Sequence, residues 1–235
     1  MSTQMFLPLS YWVVLGIGAL LSFYAQRRVK GAFAKWSQVR SRAGVTGKQV
    51  AETILRANGI TDVTVEPVQG RLTDHYDPTS KTLRLSEPVY HQTSIAALGV
   101  AAHEVGHAIQ HAQHYAPLRF RSAWVPVAGI GSNVGFLVLL IGLPLAYAGS
   151  PILAWVGVLL FAATTVFTLV TLPVEFDASK RALVTLEQGG VLATDEMPGA
   201  KAVLDAAALT YVAAAAASLL TLVYFVMQIL GASRD

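Results

Sequence analysis

The residues best suited to chemistry in this chain form the segment His103-Glu104-Val105-Gly106-His107. Side chains four positions apart lie on one face of an α-helix, so His103 and His107 can direct both imidazoles at one divalent ion. Glu104 is rotated by about 100° from His103, which lets its carboxylate reach a metal-bound water without becoming a ligand. The spacing predicts a Zn²⁺ site in which Glu104 is the general base for attack on a carbonyl. It also fits a helix whose histidines merely bond to carbonyl groups.

An open catalytic zinc site needs a third protein ligand besides the two imidazoles. The pattern that supplies a third histidine is excluded, because Gln110 and Gln113 stand where it requires a glycine and the histidine. We interpret His111 and His114 as supporting or surface residues, with direct ligation as the lesser alternative. Glu175 is the preferred third ligand, since it directly follows an apolar stretch, where a charge without a partner is costly.

The composition indicates a membrane protein. Only 13% of the 235 residues are charged, against about 25% in soluble domains, and the wealth of apolar residues excludes intrinsic disorder. There are no cysteines, which excludes disulfides and thiolate metal sites. Stretches long enough to span a bilayer, which takes roughly 20 residues, predict four transmembrane helices, the first within an anchor at 1–25. These stretches are 6–25, 124–148, 151–173 and 206–230.

The basic residues predict the orientation. Segments 26–123 and 174–205 hold 13 and three of the 17 lysines and arginines. Only Gly149 and Ser150 separate the second span from the third, so both segments lie on one face of the membrane. The positive-inside rule makes that face the cytoplasm of a bacterial cell and places both termini outside. The basic character is thus explained by topology and by attraction to anionic lipid, and nucleic-acid binding is not expected.

This topology brings the two candidate halves of the metal site to the same side of the membrane. The cytosolic domain 26–123 carries the helix with His103 and His107, and segment 174–205 carries Glu175. We therefore expect the site at the cytoplasmic membrane surface. No ionisable residue lies inside the four predicted spans, which disfavours a transporter.

Segment 26–123 is expected to form a small α+β unit. Hydrophobic periodicity, turn residues and helix stop signals define its elements. They are a juxtamembrane helix at 31–43, a helix within 46–60, strands within 61–68 and 81–89 around the turn-rich stretch 74–81, and one long helix at 93–114.

Two blocks, 72–111 and 172–183, resemble the YugP-type family of neutral zinc metallopeptidases of bacterial membranes, and the similarity extends over about residues 1–231. The resemblance implies a gluzincin-like fold, with a zinc-binding helix, a second helix that carries the third ligand, and a small sheet. More distantly, EFDAS resembles the Glu-x-x-Ala-Asp element of HtpX-like and CAAX-processing membrane proteases. By position, Glu175 is then the third zinc ligand, Ala178 keeps the small residue, and Ser179 stands where those relatives have Asp.

Several roles around the site stay open at this point. Asp177 could orient one of the two histidines in place of the missing Asp. KTLRLS (81–86) is expected at the sheet edge over the cleft, where an extended substrate could add as a strand. It could equally be a simple member of the sheet. His75, Tyr76 and Arg181 are candidates to stabilise the oxyanion, and each is equally well explained as structural.

The preferred interpretation is an α-helical membrane protein with four transmembrane helices and a small cytosolic α+β gluzincin-like zinc metalloprotease domain. It would hydrolyse peptide bonds of membrane or membrane-proximal proteins, with Glu104 activating the water, and its partners would be protein substrates and the bilayer. The alternative is a non-catalytic zinc-binding scaffold or adaptor. Small residues such as Gly129, Gly131 and Gly135 would suit close helix packing and a homo-oligomer.

Overall fold

The computed structural model describes residues 9–232, which are mostly helical. Residues 1–8 of the predicted first anchor and the basic residue Arg234 lie outside this range. The elements, in chain order, are α1 (Leu9–Trp36), α2 (Gly47–Ala57), β1 (Thr64–Val68), β2 (His75–Asp77), β3 (Thr82–Ser86), α3 (Glu87–Tyr90), α4 (Ile95–Ala112), α5 (Ala116–Ile130), a π-helical segment (Gly131–Gly135), α6 (Phe136–Tyr147), α7 (Ile152–Gln188) and α8 (Met197–Ala232).

Four helices in the described part are long and apolar enough to cross a membrane, which confirms the predicted number. They are Leu9–Trp36, Ala116–Tyr147, Ile152–Gln188 and Met197–Ala232. Their lengths of 28 to 37 residues exceed the roughly 20 that a bilayer requires. The described residues divide into two compact units, 9–24 with 120–172 and 210–232, and 25–119 with 173–209.

The first unit is helical and packs an apolar core around Leu139 and Phe225. Glycines of the π-helical segment serve packing inside this unit. A Cβ on Gly131 or Gly135 would collide with the backbone of α7. Gly129, by contrast, faces open space, and an added Cβ would meet no atom of the chain. Two of the three glycines that could have packed between copies are therefore used within one copy.

The sheet belongs to the second unit and has the strand order β1-β3-β2. β3 runs parallel to β1 and antiparallel to β2, with Leu83 opposite Val65 on one side and Tyr76 on the other. The expectation that KTLRLS forms an edge strand is therefore wrong. The reason is that both backbone edges of β3 are paired, and side chains on both of its faces are buried.

β2 is a strand that the sequence did not predict, inside the stretch interpreted as turns. Asp77 ends this strand and holds the turn that follows. Its carboxylate accepts hydrogen bonds from the Ser80 hydroxyl at 2.6 Å and the Thr79 N–H at 2.9 Å. The Ser80 hydroxyl is the main cause that lowers the pKa of Asp77 to about 2. The turn residues were recognised correctly, but a three-residue strand is too short to show alternation.

The helices around the sheet largely follow the prediction. Thr46 and Gln49 form a capping box at the start of α2, and Ser94 caps α4 by accepting from the Ala97 N–H at 3.2 Å. Nearly all of α4 is buried, which makes it the central helix of this unit. The predicted juxtamembrane helix is wrong beyond Trp36. There α1 ends, and residues 37–43 form turns and one bridge between Arg40 and Ser94.

Candidate metal centre

The centre is built where α4 and α7 touch through their backbones. A Cβ on Gly106 would lie 2.6 Å from the carbonyl oxygen of Ala178, closer than real Cβ atoms approach, and 3.1 Å from its Cα atom. Ala178 is fully buried at this contact. Small residues at both positions thus allow the approach that brings Glu175, one turn before Ala178, beside the histidines of α4.

Three side chains converge at this contact. Oε2 of Glu175 lies 3.3 Å from Nε2 of His103 and 3.5 Å from Nε2 of His107. Their potential ligand atoms all lie within 4.8 Å of one another, and Glu175 is only 2% exposed. Tetrahedral zinc with bonds of about 2.0–2.1 Å separates its ligand atoms by about 3.3–3.4 Å. The nitrogen and oxygen donors therefore fit such an ion in type, and the two distances from Glu175 match its spacing.

No other group of three potential ligands comes together among residues 9–232. The structure thus brings together all three residues predicted to hold the metal. Glu104 also lies in the buried part of α4 but is not a member of the group. Burial raises the pKa of Asp74, and the charge of Glu104 adds to that rise.

Each imidazole has a polar partner at its other ring nitrogen. Nδ1 of His103 lies 3.1 Å from Oγ of Ser179, and Nδ1 of His107 lies 3.1 Å from Oε1 of Gln110. Ser179 therefore contacts a histidine from the position where the distant relatives have Asp. Asp177 contacts neither ring. It accepts a hydrogen bond at 2.8 Å from Nε2 of Gln110, so its link to His107 is indirect.

Sequence reasoning missed Gln110, which was used only to exclude a pattern of three histidines. The signal was available in its position three residues after His107, because such residues are neighbours on a helix. A glutamine side chain is polar but not reactive, so the sequence did not predict a role for Gln110 in the chemistry of the site. In the structure Gln110 is completely buried.

The oxyanion candidates have other partners in the structure. Arg181 donates to Oδ2 of Asp177 at 2.5 Å and to Oε1 of Gln113 at 2.6 Å. His75 is exposed, and its Nδ1 lies 2.8 Å from the Thr73 carbonyl oxygen. These three contacts hold both side chains in the surrounding structure.

Tyr76 and His111 form a pair outside the group of three. The Tyr76 hydroxyl lies 2.8 Å from Nδ1 of His111. Burial is the main cause that raises the pKa of Tyr76 to about 12, so the hydroxyl is protonated at neutral pH and can donate to His111. His114 is exposed just beyond the end of α4. Neither His111 nor His114 belongs to the group that could hold a metal ion.

The backbone contact at Gly106 predicts a loss of stability on substitution. Gly106→Ala adds a methyl group where the Ala178 carbonyl leaves no room. We expect this overpacking to cost about 1–3 kcal/mol of unfolding free energy, measured by thermal unfolding of the protein in detergent. Gly31→Ala is the control, because a Cβ at Gly31 in α1 meets no atom within 4 Å. A Gly106→Ala variant as stable as Gly31→Ala would contradict the proposed tight contact.

Comparison with known proteins identifies a family of zinc metallopeptidases. Residues 11–230 match the family described as "Putative neutral zinc metallopeptidase". The chain is also 50% identical over 225 residues to "Putative membrane protease YugP" of Bacillus subtilis (strain 168), covering 95% of this chain and 98% of that protein. No solved structure matches the chain. The chain therefore belongs to the family of putative neutral zinc metallopeptidases.

Proposed function

We propose that the chain is a membrane-embedded, zinc-dependent endopeptidase that hydrolyses peptide bonds of membrane or membrane-proximal proteins. The observation that carries this proposal is the buried convergence of His103, His107 and Glu175, with Glu104 on the same helix as the two histidines. The family, and the relative whose name describes a membrane protease, support it. The four long apolar helices support the membrane location of the proposed peptidase.

The proposed reaction assigns one task to each side chain. His103, His107 and Glu175 would hold a zinc ion, which when bound polarises the substrate carbonyl and makes water more acidic. Glu104 takes a proton from the attacking water while the oxygen of that water bonds to the carbonyl carbon of the substrate. The carbon–nitrogen bond then breaks, and Glu104 returns the proton to the leaving amine. The burial of Glu104 strengthens these charge interactions, because the local dielectric constant is lower than in water.

We propose that 26–123 and 174–205 form a gluzincin-like metalloprotease domain between the membrane crossings. Because β3 is central, a substrate strand would have to pair with an outer strand. β2 is the better candidate, since it packs against α4, the helix that carries the histidines. An extended peptide would then add to β2 by main-chain hydrogen bonds.

We propose that this domain faces the cytoplasm, on the support of the basic residues in both segments. The chain has no cysteine, so single introduced thiols can report each side. A membrane-impermeant maleimide should label Ser150→Cys in intact cells and Gln69→Cys only after permeabilisation. Both positions are exposed. Labelling of Gln69→Cys in intact cells would reverse the orientation.

Peptidase activity itself is tested on the purified full chain in detergent with an unfolded protein substrate. We expect cleavage that a zinc chelator abolishes and that added zinc restores. Elemental analysis of the same sample gives the zinc content per chain. Absence of cleavage at full zinc occupancy would support the non-catalytic scaffold instead. Cleavage that persists after complete removal of the metal would refute the metal-dependent mechanism.

A further inference from the structure

Gln110 joins the helix of the histidines to the helix of Glu175. Its Nε2 atom lies 2.8 Å from the Val174 carbonyl oxygen and 2.8 Å from Oδ2 of Asp177, both on α7. Its Oε1 atom lies 3.1 Å from Nδ1 of His107. The side chain is fully buried, so these three partners take the place of water.

These partners decide which end of the Gln110 amide faces which helix. A backbone carbonyl and an ionised carboxylate only accept hydrogen bonds. The amide atom between Val174 and Asp177 must therefore be the NH₂ group, which has one hydrogen for each acceptor. The reverse orientation would place the amide oxygen against two other oxygens inside the protein. Hydrogen bonding thus fixes the direction of the amide on chemical grounds.

The fixed amide dictates the state of His107. Oε1 of Gln110 can only accept, so Nδ1 of His107 has to carry the hydrogen that lies between them. In a neutral imidazole the lone pair is then on Nε2, which is the atom 3.5 Å from Glu175. We propose that Gln110 is a positioning residue that holds His107 in the Nδ1–H tautomer and thereby presents Nε2 as a metal ligand. The metal half of this inference rests on the proposed function.

His103 is held differently. Its Nδ1 faces the Ser179 hydroxyl, which can either donate or accept and therefore suits both tautomers. The Gln110 amide cannot reverse in this way, because its NH₂ group faces the Val174 carbonyl and the Asp177 carboxylate. Arg181 donates to the same Asp177 oxygen that accepts from the amide. The Arg181–Asp177 pair thus helps to keep an acceptor in place behind Gln110. Of the two histidines, His107 is the one whose tautomer the surrounding groups impose.

The test compares three variants of the full chain in detergent. Gln110→Met keeps the length of the side chain but removes both polar ends. Gln110→Glu keeps an acceptor for Nδ1–H and loses the two donated hydrogen bonds. Gln113→Met is the control, because Gln113 is exposed and contacts Arg181 rather than a histidine. Each is measured by ¹⁵N NMR of the histidine rings in metal-free protein at alkaline pH, and by competition with a chelator for zinc.

We expect the Nδ1–H form of His107 in the unmutated protein, in Gln110→Glu and in Gln113→Met. Gln110→Met should show a mixture of tautomers and bind zinc about 10- to 100-fold more weakly, as is usual when a metal-bound histidine loses its outer partner. A role in packing alone would lower the thermal stability of both Gln110 variants and leave the tautomer unchanged.

Two results would overturn the inference. One is an Nε2–H form of His107 in the unmutated protein, which can be observed even if Gln110→Met does not fold. The other is a Gln110→Met variant whose tautomer and zinc affinity equal those of the control. Neither measurement involves a substrate, so a chain without peptidase activity would refute the proposed function and not this inference.

Discussion

Glu104→Gln is expected to slow peptide-bond cleavage by about 10²- to 10⁴-fold while the protein keeps its zinc. Glutamine has nearly the same shape as glutamate but cannot accept a proton from water. Loss of a general base typically lowers the rate by about 10²- to 10⁴-fold. Glu104 is not among the three converging residues, so the metal should stay bound. The measurements are the rate of cleavage of an unfolded protein and the zinc content per chain.

A matched variant separates this effect from a general loss of charge. Glu52→Gln changes a partly exposed glutamate of α2 that pairs with Lys48 through a long contact of 3.7 Å. It should cleave at the rate of the unmutated protein. Equal rates for Glu104→Gln and Glu52→Gln would remove Glu104 from the mechanism.

Glu175→Ala is expected to lose zinc and, as a consequence, cleavage. The change removes the carboxylate that lies within 3.5 Å of both Nε2 atoms and leaves two neutral ligands. An outer partner of a metal ligand is worth about 10- to 100-fold in affinity, so loss of the ligand itself should exceed about 100-fold. Zinc per chain after dialysis, measured by elemental analysis, reports the effect directly.

The control for this variant lies on the same helix. Glu187→Ala removes an exposed glutamate near the end of α7, more than three turns from Glu175. It should retain zinc at the level of the unmutated chain. Full occupancy in Glu175→Ala would exclude Glu175 as a ligand. Together, Glu104→Gln and Glu175→Ala separate proton transfer from metal binding.

The sequence predicted the members of the centre because each leaves a local signal. His103 and His107 show helical spacing, and Glu175 is a charge placed directly after an apolar stretch. The two predicted crossings between them implied that both parts lie on one face of the membrane. The contact that brings them together, between Gly106 and Ala178, is a matter of tertiary packing. It could only be inferred as a preference for small residues.

Other features could not be read from local patterns. Alternation of Leu83 and Leu85 predicts a strand, but it does not say which strands lie on either side, so the central position of β3 was missed. β2 was hidden among turn residues. The end of α1 at Trp36 was misplaced, because basic residues are compatible with helix and turn alike. Gln110 lacked a reactive group, and its importance depends on partners 64 and 67 positions away.

The groups behind the two imidazoles are a hydroxyl and an amide, both uncharged. A carboxylate in either place would make the ring a stronger electron donor. With neutral partners, the rings would pass less electron density to a cation held by His103, His107 and Glu175. The bound cation would then supply stronger polarisation of a substrate carbonyl. We therefore expect the uncharged partners of both rings to favour polarisation of the substrate over tight retention of the cation.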